Sequence, residues 1–247
     1  MWSPNQYERF KGERAQPFHD LLALVEPRPG MRVIDLGCGT GELTRAMHEQ
    51  LEAAETLGVD SSPQMLAKAA AFATETLRFE ERSIEDVSGE RPFDLVFSNA
   101  AVHWVEDHPA LFARLTKLVA DGGQLAIQMP ANHDHPSHVV AAALAPRFGV
   151  TGRVVPVLAP EEYATLLHRL GYTRQHVRLQ VYGHVLDSAR DVVEWVKGST
   201  LTWYQERLGD AWPAFLEAYS KRLLDVLPND RPFFFPFKRI HIWARRG

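Results

Sequence analysis

The chain has a single cysteine, Cys38, in 247 residues. That excludes an internal disulfide and fits a reducing compartment. No apolar stretch approaches the roughly 20 residues a membrane-spanning helix needs. Nor is there a basic excess: 27 Lys and Arg against 31 Asp and Glu leave a net charge of −4, without the basic domain typical of nucleic-acid binders. The opening residues Met1-Trp2-Ser3-Pro4-Asn5 carry neither the basic nor the apolar block of a secretory signal. Repeats, low-complexity tracts and flexible linkers are also missing. These absences leave a cytoplasmic small-molecule enzyme as the expectation, with no nucleic-acid or membrane partner, as a monomer or weak homodimer. The length suffices for a substantial core.

What is present centres on Val33-Ile34-Asp35-Leu36-Gly37-Cys38-Gly39-Thr40-Gly41. An apolar run reads as a fully buried strand and breaks into three glycines before a helical pattern resumes. Such a turn lets backbone approach a ligand where a side chain would clash, and the helix that follows offers N–H groups to an anion. Asp60, at the end of the next apolar run, stands where a ribose-binding carboxylate is expected. Spacing alone leaves a nicotinamide cofactor open. The Asp35-x-Gly37-x-Gly39-x-Gly41 form, however, resembles motif I of the class I S-adenosylmethionine methyltransferases, and that resemblance implies methyl transfer.

Around this stretch the periodicity predicts strands over 32–36, 55–60, 76–81, 93–98, 124–129, 174–186 and 233–244. It predicts helices over 13–25, 41–51, 63–73, 109–119, 137–147, 160–170, 189–208 and 212–226. Ser62-Pro63 is an N-cap with proline at the first helical position, and Gly122-Gly123 is expected to turn the chain. The alternation predicts a doubly wound, mostly parallel, seven-stranded Rossmann-like α/β sheet. A single domain is expected: an arm and helix over 1–30, a cofactor half over 31–130, a substrate half with a helical cap over 131–232, and a last strand over 233–247.

Several residues carry candidate chemistry. Asp35 is a candidate to fix the glycine loop or a cofactor amino group, against a merely loop-orienting hydrogen bond. Ser61 follows Asp60, and Met65 reads equally as an adenine contact or as core. Ser83-Ile84 ends strand three, where class I methyltransferases carry an acidic residue and then an apolar adenine contact. Here Ser83 replaces the acid, leaving a hydroxyl as the acceptor. Asn99 and Ala100 follow strand four, with an amide and a small residue beside the cofactor's methionine portion. His103 reads equally as catalytic or packed. His133, His135 and His138 could suggest a metal, but without a cysteine nearby a polar loop is the better reading. Lys238 and Arg239 bring two cations to a strand, where alternation sends them to opposite faces.

With these pieces placed, the chain resembles the trans-aconitate 2-methyltransferases over nearly its full length. The likeness rests on Trp2, Pro4, Tyr7, Glu13, Arg14 and Pro17, the glycine loop, and Gly58-Val59-Asp60-Ser61-Ser62-Pro63. It extends through Asn99-Ala100 with Trp104, Gln128-Met129-Pro130, Asn132, Pro136-Ser137-His138, Trp195-Val196-Lys197-Gly198 and the Phe-Pro-Phe-Lys-Arg run at 235–239. The resemblance implies S-adenosyl-L-methionine as cofactor and a small carboxylate as substrate. It carries Tyr7 and Arg14 into the cofactor site with Asp35, Gly37, Cys38, Gly39, Thr40, Gly41, Asp60, Ser61, Met65, Ser83, Ile84, Asn99 and Ala100. For the substrate it suggests Arg14, His138, Lys238 and Arg239 as polar partners, with Tyr7, Trp104, Trp195 and Tyr204 as walls. The alternatives are a methyltransferase for another metabolite or natural product, where a phenol or amine would need a base such as His103, and a cofactor-binding protein without activity.

Overall fold

The protein is represented by a computed structural model that describes residues 11–247, with side chains from residue 15 onward. Tyr7 and the rest of the N-terminal arm lie outside the described residues, and so does the side chain of Arg14. The chain divides into two compact units. A sheet unit comprises Ala15–Pro130, Pro156–Gln180 and Arg239–Gly247, and a helical unit is built from Ala131–Val155 and Val181–Lys238.

The elements of the first half are α1 (Lys11–Leu22), β1 (Arg32–Leu36), α2 (Glu42–Gln50), β2 (Glu55–Asp60), α3 (Pro63–Ala69), β3 (Leu77–Glu81), β4 (Phe93–Asn99), α4 (His108–Leu118) and β5 (Val119–Pro130). Beyond them lie α5 (Pro136–Leu144), α6 (Pro160–Arg169), β6 (Tyr172–Leu186), α7 (Arg190–Lys197), α8 (Thr200–Leu208), α9 (Trp212–Val226) and β7 (Phe233–Arg246). The seven strands form one sheet in the order β3-β2-β1-β4-β5-β7-β6. Pairing is parallel from β3 through β5, whereas β7 runs antiparallel to β5. The expected doubly wound, mostly parallel sheet is therefore present.

β1 is an apolar run because both its faces are covered: Val33, Ile34 and Leu36 have no exposed surface. Each such side chain contributes roughly 1.5–3 kcal/mol by burial, more than any single-residue propensity difference. On one face of the sheet, Phe18, Leu21 and Leu22 of α1 pack in a core with Val33, Met47, Leu95, Phe97 and Trp243. Phe18 meets Phe97 edge to face at 5.3 Å.

Three expectations change. The glycines at 122–123 do not end the preceding helix and open a separate strand. β5 already begins at Val119 and passes through them, with a register shift against β4 between Phe93 and Leu95. Gly122 takes a φ of +67° there and Gly123 lies back against Ala120, so the pair does turn the chain as expected, but inside β5, where Val119 to Gln124 faces only Phe93 to Leu95 of β4. The helix expected over 189–208 breaks into α7 and α8, because Ser199 leaves the helical region (φ −143°, ψ −100°) after Gly198, a weak helix former. The helices expected over 63–73 and 137–147 both tighten into short 3₁₀ turns, at Ala70–Phe72 and Ala145–Phe148.

The helical unit has its own core, in which Trp195, Tyr204, Phe215, Tyr219, Phe233, Phe235 and Phe237 are buried. Phe233, Phe235 and Phe237 alternate with exposed Phe234 and Pro236, the period of a strand with one covered face.

In the sheet unit, Gln124 fastens the segment after α1 to β7. Its Oε1 accepts from the Glu26 N–H and from Trp243 Nε1–H, each at 2.8 Å, and its Nε2 donates to the Glu26 carbonyl at 2.8 Å. Replacing it by leucine leaves three polar groups without these partners, each costing about 1–3 kcal/mol where it stays buried. Gln124→Leu is expected to lower the urea-unfolding free energy by about 3 kcal/mol with unchanged denaturant slope. A loss under about 1 kcal/mol would show that the staple is replaceable.

Candidate functional site

The site begins where β1 ends. The N–H groups of Gly37 and Cys38 both donate to the Val59 carbonyl, at 2.8 and 3.0 Å, which folds the loop back over β2. Gly37, Gly39 and Gly41 have φ values of +80°, +57° and +75°, a region that disfavours side chains. At Gly37 space forbids one as well, since an added Cβ would lie 2.2 Å from the Ala101 Cβ and 3.9 Å from Ile84 Cδ1. The glycine is bare because β4's exit passes over it. Gly41 caps α2 without a side-chain hydrogen bond, so the helix begins with backbone donors.

Two carboxylates hold the loop from below. Asp60 Oδ2 accepts from the Gly39 N–H and Oδ1 from the Ser62 N–H, both at 2.9 Å. Asp35 is buried, and the Thr44 hydroxyl donates to its Oδ2 at 2.6 Å. Burial lifts the Asp35 pKa to about 7, opposed by the Thr44 hydrogen bond and reinforced by Asp60. Burial also pushes the Cys38 thiol far up, so it stays protonated at neutral pH. Thr44 was not singled out in the sequence; its place in the first turn of the helix after the glycine loop is the signal that could have found it.

The remaining cofactor candidates border this loop. Ser62 caps α3 by accepting from the Met65 N–H, and Met65 is half-buried. Ser61 is exposed and Thr40 half-buried. Ser83 is engaged as a cap, its hydroxyl accepting from the Glu85 N–H at 3.2 Å, and Ile84 opens the 3₁₀ turn that follows. Ala100 adopts φ +55°, uncommon for a residue with a side chain, and its N–H donates to the Gln128 carbonyl at 2.8 Å. Asn99 Oδ1 is buried without a hydrogen-bond partner.

His103 and Trp104 sit on the 3₁₀ turn Val102–Trp104, with ring centroids 4.9 Å apart and Trp104 exposed. Buried His108 supports this turn: Nε2 reaches the Val102 carbonyl at 3.2 Å, and Nδ1 meets the Tyr163 hydroxyl. Burial lowers the His108 pKa, so a neutral ring makes both contacts. Residue types alone did not single out His108.

The substrate candidates fall in both units. Arg239 belongs to the sheet unit, where it is buried and Nη1 donates to Gln128 Oε1 at 3.4 Å. Lys238, its neighbour, falls in the helical unit and pairs with Asp134. Also in that unit, His138 bonds the Ser137 hydroxyl at 3.1 Å through Nδ1 and the Thr200 hydroxyl at 2.8 Å through Nε2. Burial first, then His135, His133 and Arg153, push its pKa down to about 3, so it supplies no cation at neutral pH. Trp195 and Tyr204 are 3% and 1% exposed, and the Tyr204 hydroxyl accepts from the Arg153 N–H at 3.0 Å. Both rings belong to the core of the helical unit. His135 caps α5 through Nδ1, accepting from the Ser137 N–H at 3.1 Å. No group of metal-ligating side chains gathers among the described residues.

A sequence model described as a methyltransferase domain matches residues 7–177. The chain is 43% identical to a trans-aconitate 2-methyltransferase of Deinococcus radiodurans, covering 99% of this chain and 98% of that one. It is 37% identical to one of Streptomyces avermitilis, over 99% and 97%. Among solved structures, the YcgJ protein of Bacillus subtilis superposes with a TM-score of 0.67 at 18% identity, over 94% of this chain and 98% of that one. An S-adenosylmethionine-dependent methyltransferase of Mesorhizobium loti gives 0.54 at 22%, over 96% and 100%. These two likenesses concern the fold.

The raised Asp35 pKa fixes a sign for stability. Between about pH 4 and 7 the unfolded chain has an ionised Asp35 and the folded chain a protonated one. Stability from this group is therefore full below pH 4 and lost as pH rises to 7, by up to about 1.4 kcal/mol per unit. Asp35→Asn, which keeps an oxygen for Thr44, is expected to gain stability relative to wild type as pH rises from 5 to 7. Parallel urea-unfolding curves at the two pH values would contradict the shift.

Proposed function

We propose that this chain, which belongs to the trans-aconitate 2-methyltransferase family of S-adenosylmethionine-dependent methyltransferases, esterifies a carboxylate of trans-aconitate or a similar small polycarboxylate. The observation that carries the donor half is the bare backbone at Gly37, held under Ala101 and Ile84 and backed by Asp35 and Asp60. The acceptor half is supported by near-full-length relatives named for that reaction.

The residues present fit the cofactor. Gly37, Cys38, Gly39, Thr40 and Gly41 offer uncovered backbone and the α2 N-terminus to its amino-acid portion. Asn99 Oδ1, buried without a partner, is an acceptor suited to its ammonium group, and Ala100 beside it is small. Asp60 uses one lone pair of each oxygen on the loop, which leaves another on each for the two ribose hydroxyls. Ser61 adjoins them, Met65 and Ile84 supply apolar contact for adenine, and Ser83 stands where relatives' acidic residue would be. Tyr7 and Arg14 extend this list from the arm, and Trp104 and Arg239 serve the acceptor.

When bound, S-adenosylmethionine would supply a sulfonium methyl group: a carboxylate oxygen would form the new bond to that carbon, and the electron pair of the broken carbon–sulfur bond would stay on sulfur. A carboxylate has a reference pKa near 4 and is ionised at neutral pH, so no proton has to be removed. The chain's work is then to hold the acceptor in line at about 3 Å and to exclude water. His103 has no proton to take in this reaction.

The test is incubation of pure protein with labelled S-adenosylmethionine and trans-aconitate. A base-labile methyl ester is expected, with a rate independent of pH above the carboxylate range. No ester at high enzyme concentration would overturn the acceptor assignment. A rate climbing near neutrality would instead point to base-assisted attack by a phenol or amine acceptor through His103.

A further inference from the structure

The geometry points to the side-chain amide of Gln128, pinned by Arg239, as the group that reads the acceptor's carboxylate beside the methyl donor. This rests on the carboxylate-acceptor reading above and adds the residue that recognises the acceptor.

The register makes the case. Asn99 at the end of β4 pairs with Gln128 of β5, and Gln128 pairs with His241 of β7. Paired positions put side chains on the same face, with neighbouring strands about 4.8 Å apart. Arg239 lies two residues before His241 on that same face, close enough for its Nη1 to reach Gln128 Oε1. A guanidinium only donates, so the atom it contacts must be the amide oxygen, and the NH₂ must point elsewhere. That NH₂ has no hydrogen-bond partner, in a residue with no exposed surface. A buried donor without a partner is destabilising by about 1–3 kcal/mol, so it persists where something else requires it.

One strand away, Asn99 Oδ1 is a buried acceptor without a partner. A donor and an acceptor are thus left open on one rung, on adjacent strands, at the carboxyl edge of β4 and β5, where open α/β sheets bind ligands. The two polarities match the two reactants: an acceptor atom for a cationic methyl donor, and a donor atom next to a guanidinium for an anionic methyl acceptor. The other groups on this row do not compete. His241 Nε2 contacts the Pro17 carbonyl at 3.3 Å, and burial lowers its pKa to about 4, so it adds no charge.

Two substitutions separate recognition from folding. Gln128→Glu keeps an oxygen for Arg239 but replaces the donor with a charge that repels a carboxylate. Gln128→Met removes both functions at similar volume. Both are expected to bind S-adenosylhomocysteine within twofold of wild type by calorimetry. Both are expected to raise the KM for trans-aconitate at least tenfold and to weaken binding of the unreactive tricarboxylate tricarballylate equally. In wild type loaded with S-adenosylhomocysteine, tricarballylate should shift one glutamine side-chain NH₂ pair in an ¹⁵N spectrum, and that pair should be missing in Gln128→Glu. Variants with wild-type KM and tricarballylate affinity would overturn the inference; so would an unshifted wild-type spectrum, even if neither variant folded. Wild type that neither methylates trans-aconitate nor binds tricarballylate would instead remove the acceptor reading beneath it.

Discussion

The site depends on one carbonyl. Val59 accepts hydrogen bonds from Gly37 and Cys38 together, so the last residues of β2 decide where the loop after β1 turns. The same alignment sets Asp60 beneath Gly39, where a single carboxylate ties the loop to the start of α3 through Ser62. A one-residue slip between β1 and β2 would send Asp60 to the other face and leave the loop without its anchor. The covered faces of β1 oppose such a slip, because it would turn Ile34 and its neighbours out of their packing. Core packing and cofactor geometry are in this sense one constraint. The bare backbone at Gly37 follows from it, since Ala101 occupies the space a side chain would take.

The parts of this arrangement that were legible in sequence are those in which chemistry and backbone geometry coincide. Three glycines after a buried strand can do little else, and an acidic residue ending the next strand has a defined place beside them. The order of strands and helices follows from apolar runs that alternate between two periods. Strand starts and helix breaks were less legible. Gly122-Gly123 has the composition of a turn and makes one, but only the pairing of β4 with β5 shows that the strand begins before it, at Val119. Aromatic residues were least legible, because a tryptophan or tyrosine at helical spacing serves a pocket wall and a core equally well. Trp195 and Tyr204 lie in the core of the helical unit, packed with Phe215, Phe235 and Phe237. His138 misleads for a related reason: in sequence it looks like a cation, and burial keeps it a neutral ring between two hydroxyls.

The polar groups of the sheet unit share a character that suits a reaction without a proton in flight. His108 and His241 are held neutral by burial, Cys38 is held as a thiol, and Gln128, Asn99 and Thr44 have no charge to give. Asp35 and Asp60 lie below the loop and Arg239 stands on β7, with the Asp35 pKa lifted to about 7 by burial. A general base would need a side chain poised to exchange a proton near neutrality next to the acceptor. Asp35 titrates in that range, but its oxygen is committed to Thr44 under the loop. The proposed carboxylate acceptor would arrive already deprotonated and already nucleophilic, which would leave the protein to strip its water and fix its direction. Buried amides suit that task, because they replace hydration with hydrogen bonds without neutralising the attacking oxygen, as a close ion pair would. In the proposed reading, an arginine one step back, acting through the amide it orients, would keep the anion bound while leaving its reacting lone pair free.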